Sequence, residues 1–406
     1  MKILIVCEHA SDKFGGEAML PLNYYKFLSK TNHEVYLVTH ERARASLESN
    51  LEINNKNIYY LPDTKLHKLI FKLGKCLPAR VYTRTFGALL HALTQIYQRK
   101  EVKRLVKTIG IDIVHEPAPV SATQPSAMYN VGCPVVIGPL NGGMTFPKSF
   151  QDMSGLLEKV IYKLAKYADN TLNRLIPGKV KANLILVANE RTKKALPACI
   201  KGPVEILVEN GSFGIQSNPR HYAKRKLTKV LYVGRLVDWK CIDIAIEAVS
   251  KLKNTELTIV GDGQERNNLE RLCREKNIEN VSFTGLVPHN KINEFYDEAD
   301  IFVLPSIREC GGAVVLEAMS RGLPVIATDW GGPADYLTPE SGFLIAPKSK
   351  EWMVEQFSNT ILRLADSPEL REKIGMNAVE RIRKHFLWDD KIQTILSHYK
   401  NIKNNK

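Results

Sequence analysis

The stretch Ile301-Phe302-Val303-Leu304-Pro305-Ser306-Ile307-Arg308-Glu309-Cys310-Gly311-Gly312-Ala313-Val314-Val315-Leu316-Glu317 runs from an apolar segment through a glycine bend into a second apolar segment. Four consecutive apolar residues stopped by Pro305 read as a strand buried on both faces, the kind found in parallel sheets. Open α/β sheets bind ligands outside the carboxyl ends of such strands. Glu309, Glu317 and the bare backbone of Gly311 and Gly312 are therefore predicted at a ligand-facing edge. Glycine lets the chain approach an anion or a sugar closely, and a helix beginning at Ala313 and Val314 offers unpaired N–H groups to a phosphate. Taken alone, the stretch describes equally well a tight strand-to-helix turn with two solvated acids.

Upstream, Lys229-Val230-Leu231-Tyr232-Val233 is a second strand. It ends in Gly234-Arg235-Leu236-Val237-Asp238-Trp239-Lys240, after which the spacing of Ile244, Ala245, Ala248 and Val249 signals a helix. Arg235 and Lys240 leave the same strand end, so they are expected to converge on one diphosphate, Arg as a planar fork and Lys as a point charge. Two cations there would stabilise negative charge building on a departing nucleoside diphosphate. The competing account is a pair of solvated surface cations. Thr258-Ile259-Val260-Gly261-Asp262-Gly263 and Val281-Ser282-Phe283-Thr284-Gly285-Leu286-Val287 add two strands with glycine turns. Pro324-Val325-Ile326-Ala327-Thr328 adds another, closed by Gly331-Gly332-Pro333. This succession from Lys229 to about Thr338 predicts a Rossmann-like half.

As an ordered set, Gly234-Arg235 with Lys240, Gly261-Asp262-Gly263, Phe283-Thr284-Gly285, Pro305-Ser306, the Glu309 and Glu317 pair with Ala318-Met319, and Gly322-Leu323-Pro324-Val325-Ile326-Ala327-Thr328 resemble the nucleotide-sugar half of family 4 retaining glycosyltransferases. The resemblance implies an α/β chain of the GT-B fold, two Rossmann-like domains facing a central cleft. It implies that Arg235 and Lys240 hold the diphosphate, that Glu317 bonds the ribose hydroxyls, and that Glu309 faces the donor sugar. Amides from Gly311 through Gly312, Ala313 and Val314 to Val315 would cradle sugar and phosphate; Gly234 and Gly261 line the same donor site, and backbone near Leu286 and Val287 would meet the base. This chain departs from the family where a glycine usually follows the lysine, having Cys241, and where Gly-Phe-Gly usually follows the first glutamate, having Cys310-Gly311-Gly312. The first change is expected to be harmless at a helix start; the second leaves open which hexose or pentose is accepted.

The front half opens with the strand Met1-Lys2-Ile3-Leu4-Ile5-Val6-Cys7, too short an apolar core for a secretory signal. Gly15-Gly16-Glu17 precedes a helix from about Ala18 to Leu28; in the related enzymes a paired-glycine loop here sits beneath the donor diphosphate, although such pairs also occur in loops without a ligand. Val35-Tyr36-Leu37-Val38-Thr39 and Ile111-Asp112-Ile113-Val114-His115 are further strands. His115 matches the family's histidine at a strand terminus and is assigned a catalytic place there, against a structural histidine as the alternative. Glu116 follows at once, but neighbours on an extended chain point apart, so the two are not paired. Val135-Val136-Ile137-Gly138-Pro139-Leu140-Asn141-Gly142-Gly143-Met144, with Val120-Ser121-Ala122-Thr123-Gln124-Pro125-Ser126, resembles a bacterial subgroup of these transferases. Asn141, Gly142 and Gly143 are read as acceptor-side residues, with a structural turn as the alternative.

At 406 residues the chain has room for two α/β domains. Their expected bounds are 1–211, completed by a C-terminal helix 386–406 that crosses back, and 229–385. The basic stretch 212–228, with Pro219 and Lys224-Arg225-Lys226, is the expected linker. Seven scattered cysteines suggest neither a disulfide framework nor a zinc site, and a reducing cytoplasm suits them. No apolar run approaches membrane-spanning length. The net charge of +14 is uneven. Lys65, Lys68, Lys72, Lys75, Arg80, Arg84, Arg99, Lys100, Lys103, Arg104 and Lys107 crowd one region. Leu66, Leu69, Ile70, Phe71, Leu73, Leu77, Val81, Tyr82, Phe86, Leu89 and Leu90 are interleaved with them. This suits a basic amphipathic helix on an anionic membrane surface at the inner face of a membrane; a helix pair packed on its own sheet with a solvated basic rim is the alternative. Nucleic acid is not expected, because no recognised binding module appears.

The expected function is transfer of a sugar from a UDP- or GDP-type nucleoside-diphosphate sugar to the hydroxyl of a carbohydrate or lipid-linked acceptor. By resemblance it is a retaining hexosyltransferase reaction in bacterial surface polysaccharide or glycolipid assembly. No Asp-X-Asp motif stands at a suitable strand end, so neither metal nor cofactor is expected, and Arg235 and Lys240 take the cation's place. Rival readings are a GT-B epimerase or phosphorylase, and a non-catalytic sugar-nucleotide-binding protein.

Overall fold

Runs of Val, Ile and Leu form two sheets, each parallel throughout. The first contains β1 (Lys2–Val6), β2 (Glu34–His40), β3 (Ile58–Leu61), β4 (Ile113–Glu116), β5 (Val135–Leu140), β6 (Leu184–Val187) and β7 (Val204–Ile206), in the order β3-β2-β1-β4-β5-β6-β7. The second contains β8 (Thr228–Val233), β9 (Thr255–Val260), β10 (Val281–Gly285), β11 (Ile301–Leu304), β12 (Val325–Thr328) and β13 (Phe343–Ile345), in the order β10-β9-β8-β11-β12-β13. The computed structural model describes the chain apart from residues 51–52, 54, 77–81, 83–84, 154–167, 217–219, 224 and 405–406. Leu77, Arg80, Val81, Arg84, Pro219 and Lys224, named above, lie outside the described residues.

The chain divides into two compact units. One comprises Met1–Gly143, Val160–Glu209 and Asp389–Lys406, the other Met144–Lys159 and Asn210–Trp388. Each is an α/β layer structure whose central strands have no exposed side chain: Ile3, Leu4 and Ile5 in β1, and all of Ile301, Phe302, Val303 and Leu304 in β11. Burial of such a side chain contributes about 2 kcal/mol, which is why strands with almost no polar residue sit at the middle of both sheets. In each sheet the strand order reverses beside the first strand, between β1 and β4 and between β8 and β11. That reversal opens a crevice at the carboxyl ends of the two strands.

The stretch expected to link the domains is held down on the second unit. Arg220 donates to the carbonyls of Tyr296 (2.9 Å), Arg321 (3.2 Å) and Ala299, and Arg225 to that of Glu298 (3.0 Å). The helix His289–Glu298 ends there, so the two guanidiniums satisfy carbonyls that have no partner within the helix and meet the negative end of its dipole. In the first unit the terminal helix Trp388–Asn404 lies against the sheet. Lys391 reaches the Glu209 carbonyl at 2.8 Å and Lys403 the Asp112 carboxylate at 2.8 Å.

Candidate functional site

In the second unit the loops after β8 and β11 meet at the strand-order reversal. Ile307 N–H donates to the Trp239 carbonyl at 3.0 Å, and the Lys240 ammonium pairs with the Glu309 carboxylate, the two side chains being 14 % and 15 % exposed. Arg235 lies on the exposed surface of the same turn. Beneath them Tyr232 is fully buried and donates its hydroxyl to the Arg235 carbonyl at 3.2 Å. Burial, and after it the Glu309 charge, holds its pKa well above 10, while Arg235 acts in the opposite sense. One hydroxyl thus senses both sides of the turn.

Gly312 caps the helix Ala313–Ser320 in the left-handed region, at φ +74° and ψ +52°. Ala313 and Val314 therefore open the helix, where amides have no intrahelical acceptor and the dipole favours an anion. The bend from Glu309 to Gly312 is clamped by the next loop. Gly332 N–H donates to the Glu309 carbonyl at 2.8 Å, and a Cβ at Gly331 or Gly332 would overlap the carbonyl oxygen of Glu309 or Gly311 respectively. Residues following β5 close this corner within the same unit: the Trp330 indole donates to the Thr145 carbonyl at 2.9 Å, and the Arg308 guanidinium lies 5.1 Å from the centre of the Phe146 ring.

Glu317, one helical turn further on, accepts a hydrogen bond from the buried Tyr296 hydroxyl at 2.9 Å. Tyr296 was not foreseen: in the sequence it is one more apolar-face residue of a short helix. Gly234 and Gly261 serve the backbone. A Cβ on Gly261 would overlap the Gly234 carbonyl oxygen, so the ends of β8 and β9 converge only with glycine at 261, and a Cβ on Gly234 would press on the Tyr232 hydroxyl at 2.9 Å. Leu286 is 81 % exposed, an apolar side chain with an open face, and Val287 is half-buried beside it. Cys241, expected to be harmless where the family has glycine, adopts φ +48°. A Cβ in that left-handed region costs about 1 kcal/mol, so this substitution carries strain.

Gly15, Gly16, His115, Asn141, Gly142 and Gly143 all belong to the first unit. Gly15 has φ +92° and starts the helix Gly16–Leu28, with open space where a Cβ on either glycine would project. His115 is wholly buried. Its Nε2–H donates to the Gly138 carbonyl at 2.6 Å and its Nδ1 accepts from the Tyr399 hydroxyl at 2.6 Å. Burial pulls its pKa down to about 4. With no exposed atom and both nitrogens taken, the ring locks β4 to β5 and to the terminal helix, and this geometry replaces the catalytic place expected of it. Its imidazole resonances should report the neutral Nε2–H form unchanged from pH 8 to pH 5; a titration midpoint near the ordinary histidine value, about 6.5, would contradict that placement. Glu116 points the other way, accepting from Gln95 (2.9 Å) and Ser126, and burial raises its pKa to about 7.

Asn141 is buried too. Its amide donates to the Glu209 carboxylate and accepts from Arg191 (3.3 Å) and Thr192 (3.4 Å). Its side chain therefore shapes the loop, while Gly142 N–H donates to Thr192 at 3.1 Å and Gly143 turns at φ +70°. No described helix is long and apolar enough to cross a membrane.

Two parallel Rossmann-like sheets in this order, the first completed by the chain's last helix, define the GT-B class. The structure superposes on HepE from Anabaena, solved in complex with UDP, with a TM-score of 0.67 over 99 % of this chain and 100 % of that one at 16 % identity. Residues 216–381 match the family described as Glycosyl transferases group 1. Over 158 residues the chain is 35 % identical to the lipopolysaccharide core biosynthesis glycosyltransferase LpsD of Rhizobium meliloti, covering 39 % of this chain and 45 % of that one. Over 160 residues it is 34 % identical to the sulfoquinovosyl transferase SQD2 of Arabidopsis thaliana, covering 38 % and 30 %. The chain spans less than half the length of the curated relatives it matches.

Proposed function

We propose that the protein is a retaining glycosyltransferase that moves a sugar from a UDP- or GDP-type nucleotide sugar to an acceptor hydroxyl without a metal ion. The observation that carries this reading is the Lys240–Glu309 pair at the mouth of β8 and β11, beside the amides that open the helix Ala313–Ser320. An ammonium has three donors, so Lys240 keeps Glu309 and still offers hydrogens to a β-phosphate. Arg235 and the helix amides add positive potential from two other directions, as a divalent cation would. Glu317, oriented by Tyr296, takes the ribose hydroxyls, and Leu286 with Val287 covers the base.

Glu309 is held by a cation and by the clamp of Gly331 and Gly332. It therefore suits bonding to donor-sugar hydroxyls better than attack on the anomeric carbon. The bond from that carbon to the β-phosphate oxygen breaks as the acceptor oxygen bonds on the same face, and the acceptor proton passes to the departing phosphate. A relative named for lipopolysaccharide core biosynthesis supports an acceptor in bacterial surface polysaccharide or glycolipid assembly. The test is release of nucleoside diphosphate from a panel of UDP- and GDP-sugars with excess EDTA present. Turnover with retained anomeric configuration is expected; activity abolished by EDTA and restored by Mn²⁺ would contradict it.

The reading extends to peripheral attachment at the inner face of a membrane. From Lys65 to Lys100 the sequence holds eight Lys or Arg and no acidic residue. On the helix Lys65–Gly74, Leu66, Leu69 and Leu73 are exposed in a strip next to Lys65, Lys68 and Lys72. On the helix Phe86–Ile109, Leu89 and Ile96 are exposed in line with Lys100 and Lys103. Apolar strips bordered by lysines favour insertion at an anionic interface, each lysine adding about 1 kcal/mol near the surface. The protein should float with phosphatidylglycerol-containing vesicles at low salt. It should remain in solution at high salt or as Leu69→Glu/Leu73→Glu; flotation of that variant equal to wild type would count against the surface.

A further inference from the structure

The bend that carries Glu309 has little with which to hold itself. Between Glu309 and the helix Ala313–Ser320, Gly311 and Gly312 have no side chain and Cys310 is exposed. Glycine loses more backbone freedom on ordering than any other residue, so a bend built this way needs support from outside. One support is the clamp of Gly331 and Gly332. A second comes from consecutive residues of the stretch after β5. The Met144 methyl lies 3.0 Å from where a Cβ on Gly331 would stand, the Thr145 carbonyl accepts from the Trp330 indole at 2.9 Å, and the Phe146 ring faces the Arg308 guanidinium at 5.1 Å.

Each of these contacts falls on a residue that flanks the bend. Arg308 immediately precedes Glu309, while Trp330 and Gly331 lead into Gly332, whose N–H donates to the Glu309 carbonyl at 2.8 Å. The contacts differ in kind: dispersion from a thioether methyl, a directional hydrogen bond, and a cation over a ring. Met144, Phe146, Arg308 and Trp330 are all half-buried, so they pack at the lip of the unit and outside its core. Arg308 and Glu309 are neighbours whose side chains go to different partners, Phe146 and Lys240. Fixing the first fixes the peptide between them and limits where the second can reach.

We propose that Met144–Phe146 is a brace and that its anchors, Trp330 and Arg308, are positioning residues, which hold the Glu309 carboxylate where it meets the hydroxyls of the donor sugar. The part concerning the sugar rests on the transferase reading; the ordering of the bend by the brace does not.

Two variants of the full chain test it: Trp330→Phe keeps a ring and removes the indole N–H, and Phe146→Ala removes the ring under Arg308. Val315 N–H, bonded to the Gly312 carbonyl at 3.0 Å, and Gly332 N–H report the order of the bend with no ligand present. Their hydrogen exchange should quicken about tenfold in either variant. Calorimetry without acceptor then takes UDP-glucose, UDP-galactose, UDP-N-acetylglucosamine and GDP-mannose as probes. Affinity for the one the wild-type chain binds best should fall about tenfold, roughly 1.4 kcal/mol, while affinity for the matching UDP or GDP stays within about twofold. In the Glu309→Gln background Trp330→Phe should cost no further affinity, because its effect passes through that carboxylate. Wild-type exchange in either variant would overturn the brace. So would an equal loss of affinity for sugar nucleotide and bare nucleotide, or the same loss from Trp330→Phe with Glu309 already replaced. Faster exchange in both variants of a chain that binds no sugar nucleotide would uphold the brace and sink the transferase reading.

Discussion

Lys240→Ala should lower kcat/KM for the sugar nucleotide by on the order of 10³-fold, about 4 kcal/mol of transition-state stabilisation. Two effects combine. The β-phosphate loses a charge-assisted donor just as it takes up the charge of the broken bond. Glu309, only 15 % exposed, loses its cation and turns an uncompensated negative charge toward the same phosphate. Lys240→Arg should recover little, because a planar fork does not supply a compact point charge in the same place. Steady-state kinetics with circular dichroism as the folding control measures this; wild-type turnover in Lys240→Ala would remove the pair from the mechanism.

Gly331→Ala should destabilise the second unit by about 4 kcal/mol, from left-side backbone strain of roughly 1–3 kcal/mol and a comparable overpacking cost. Gly331 has φ +77° and ψ −146°, a combination open almost only to glycine, and its added methyl would overlap the Glu309 carbonyl oxygen. Relief of either fault moves the bend that carries Glu309, so donor affinity should fall along with stability. Gly16→Ala is the control: there a Cβ projects into open space and φ is not positive, and the unit's melting should be unchanged. Thermal or urea unfolding of the two variants decides it; equal midpoints would show that the clamp contributes nothing.

Much of the donor-side geometry could be read from local patterns. Apolar runs stopped by Gly or Pro, such as Ile301–Leu304 and Thr255–Val260, carry their own strand signal, and their glycine ends lie where parallel strands deliver ligands. What stayed hidden depends on long-range placement. The Lys240–Glu309 pair spans 69 residues and exists because β8 and β11 are neighbours, a fact of strand order that neither segment records. His115 looked like a cleft residue because its own segment ends in a polar side chain; the Tyr399 hydroxyl that seals it comes from 284 residues away. Edge strands such as Val204–Ile206 are too short to announce themselves. The stretch 212–228 looked like a tether by composition, yet its arginines are fixed by carbonyls at the end of a helix that precedes β11. The histidines at 9, 40 and 91 are meaningless in line and become a cluster only when β1, β2 and the helix Phe86–Ile109 bring them to one edge.

The central claim is that one diphosphate lies between the Lys240 turn and the start of the helix Ala313–Ser320. The most direct measurement is the electron density of a nucleoside diphosphate bound to the crystalline protein. The β-phosphate is expected within hydrogen-bond distance of Lys240 Nζ and of the Ala313 or Val314 amide, with the ribose at Glu317. A diphosphate bound at any other place on the second unit, with Lys240 still facing only Glu309, would contradict the account.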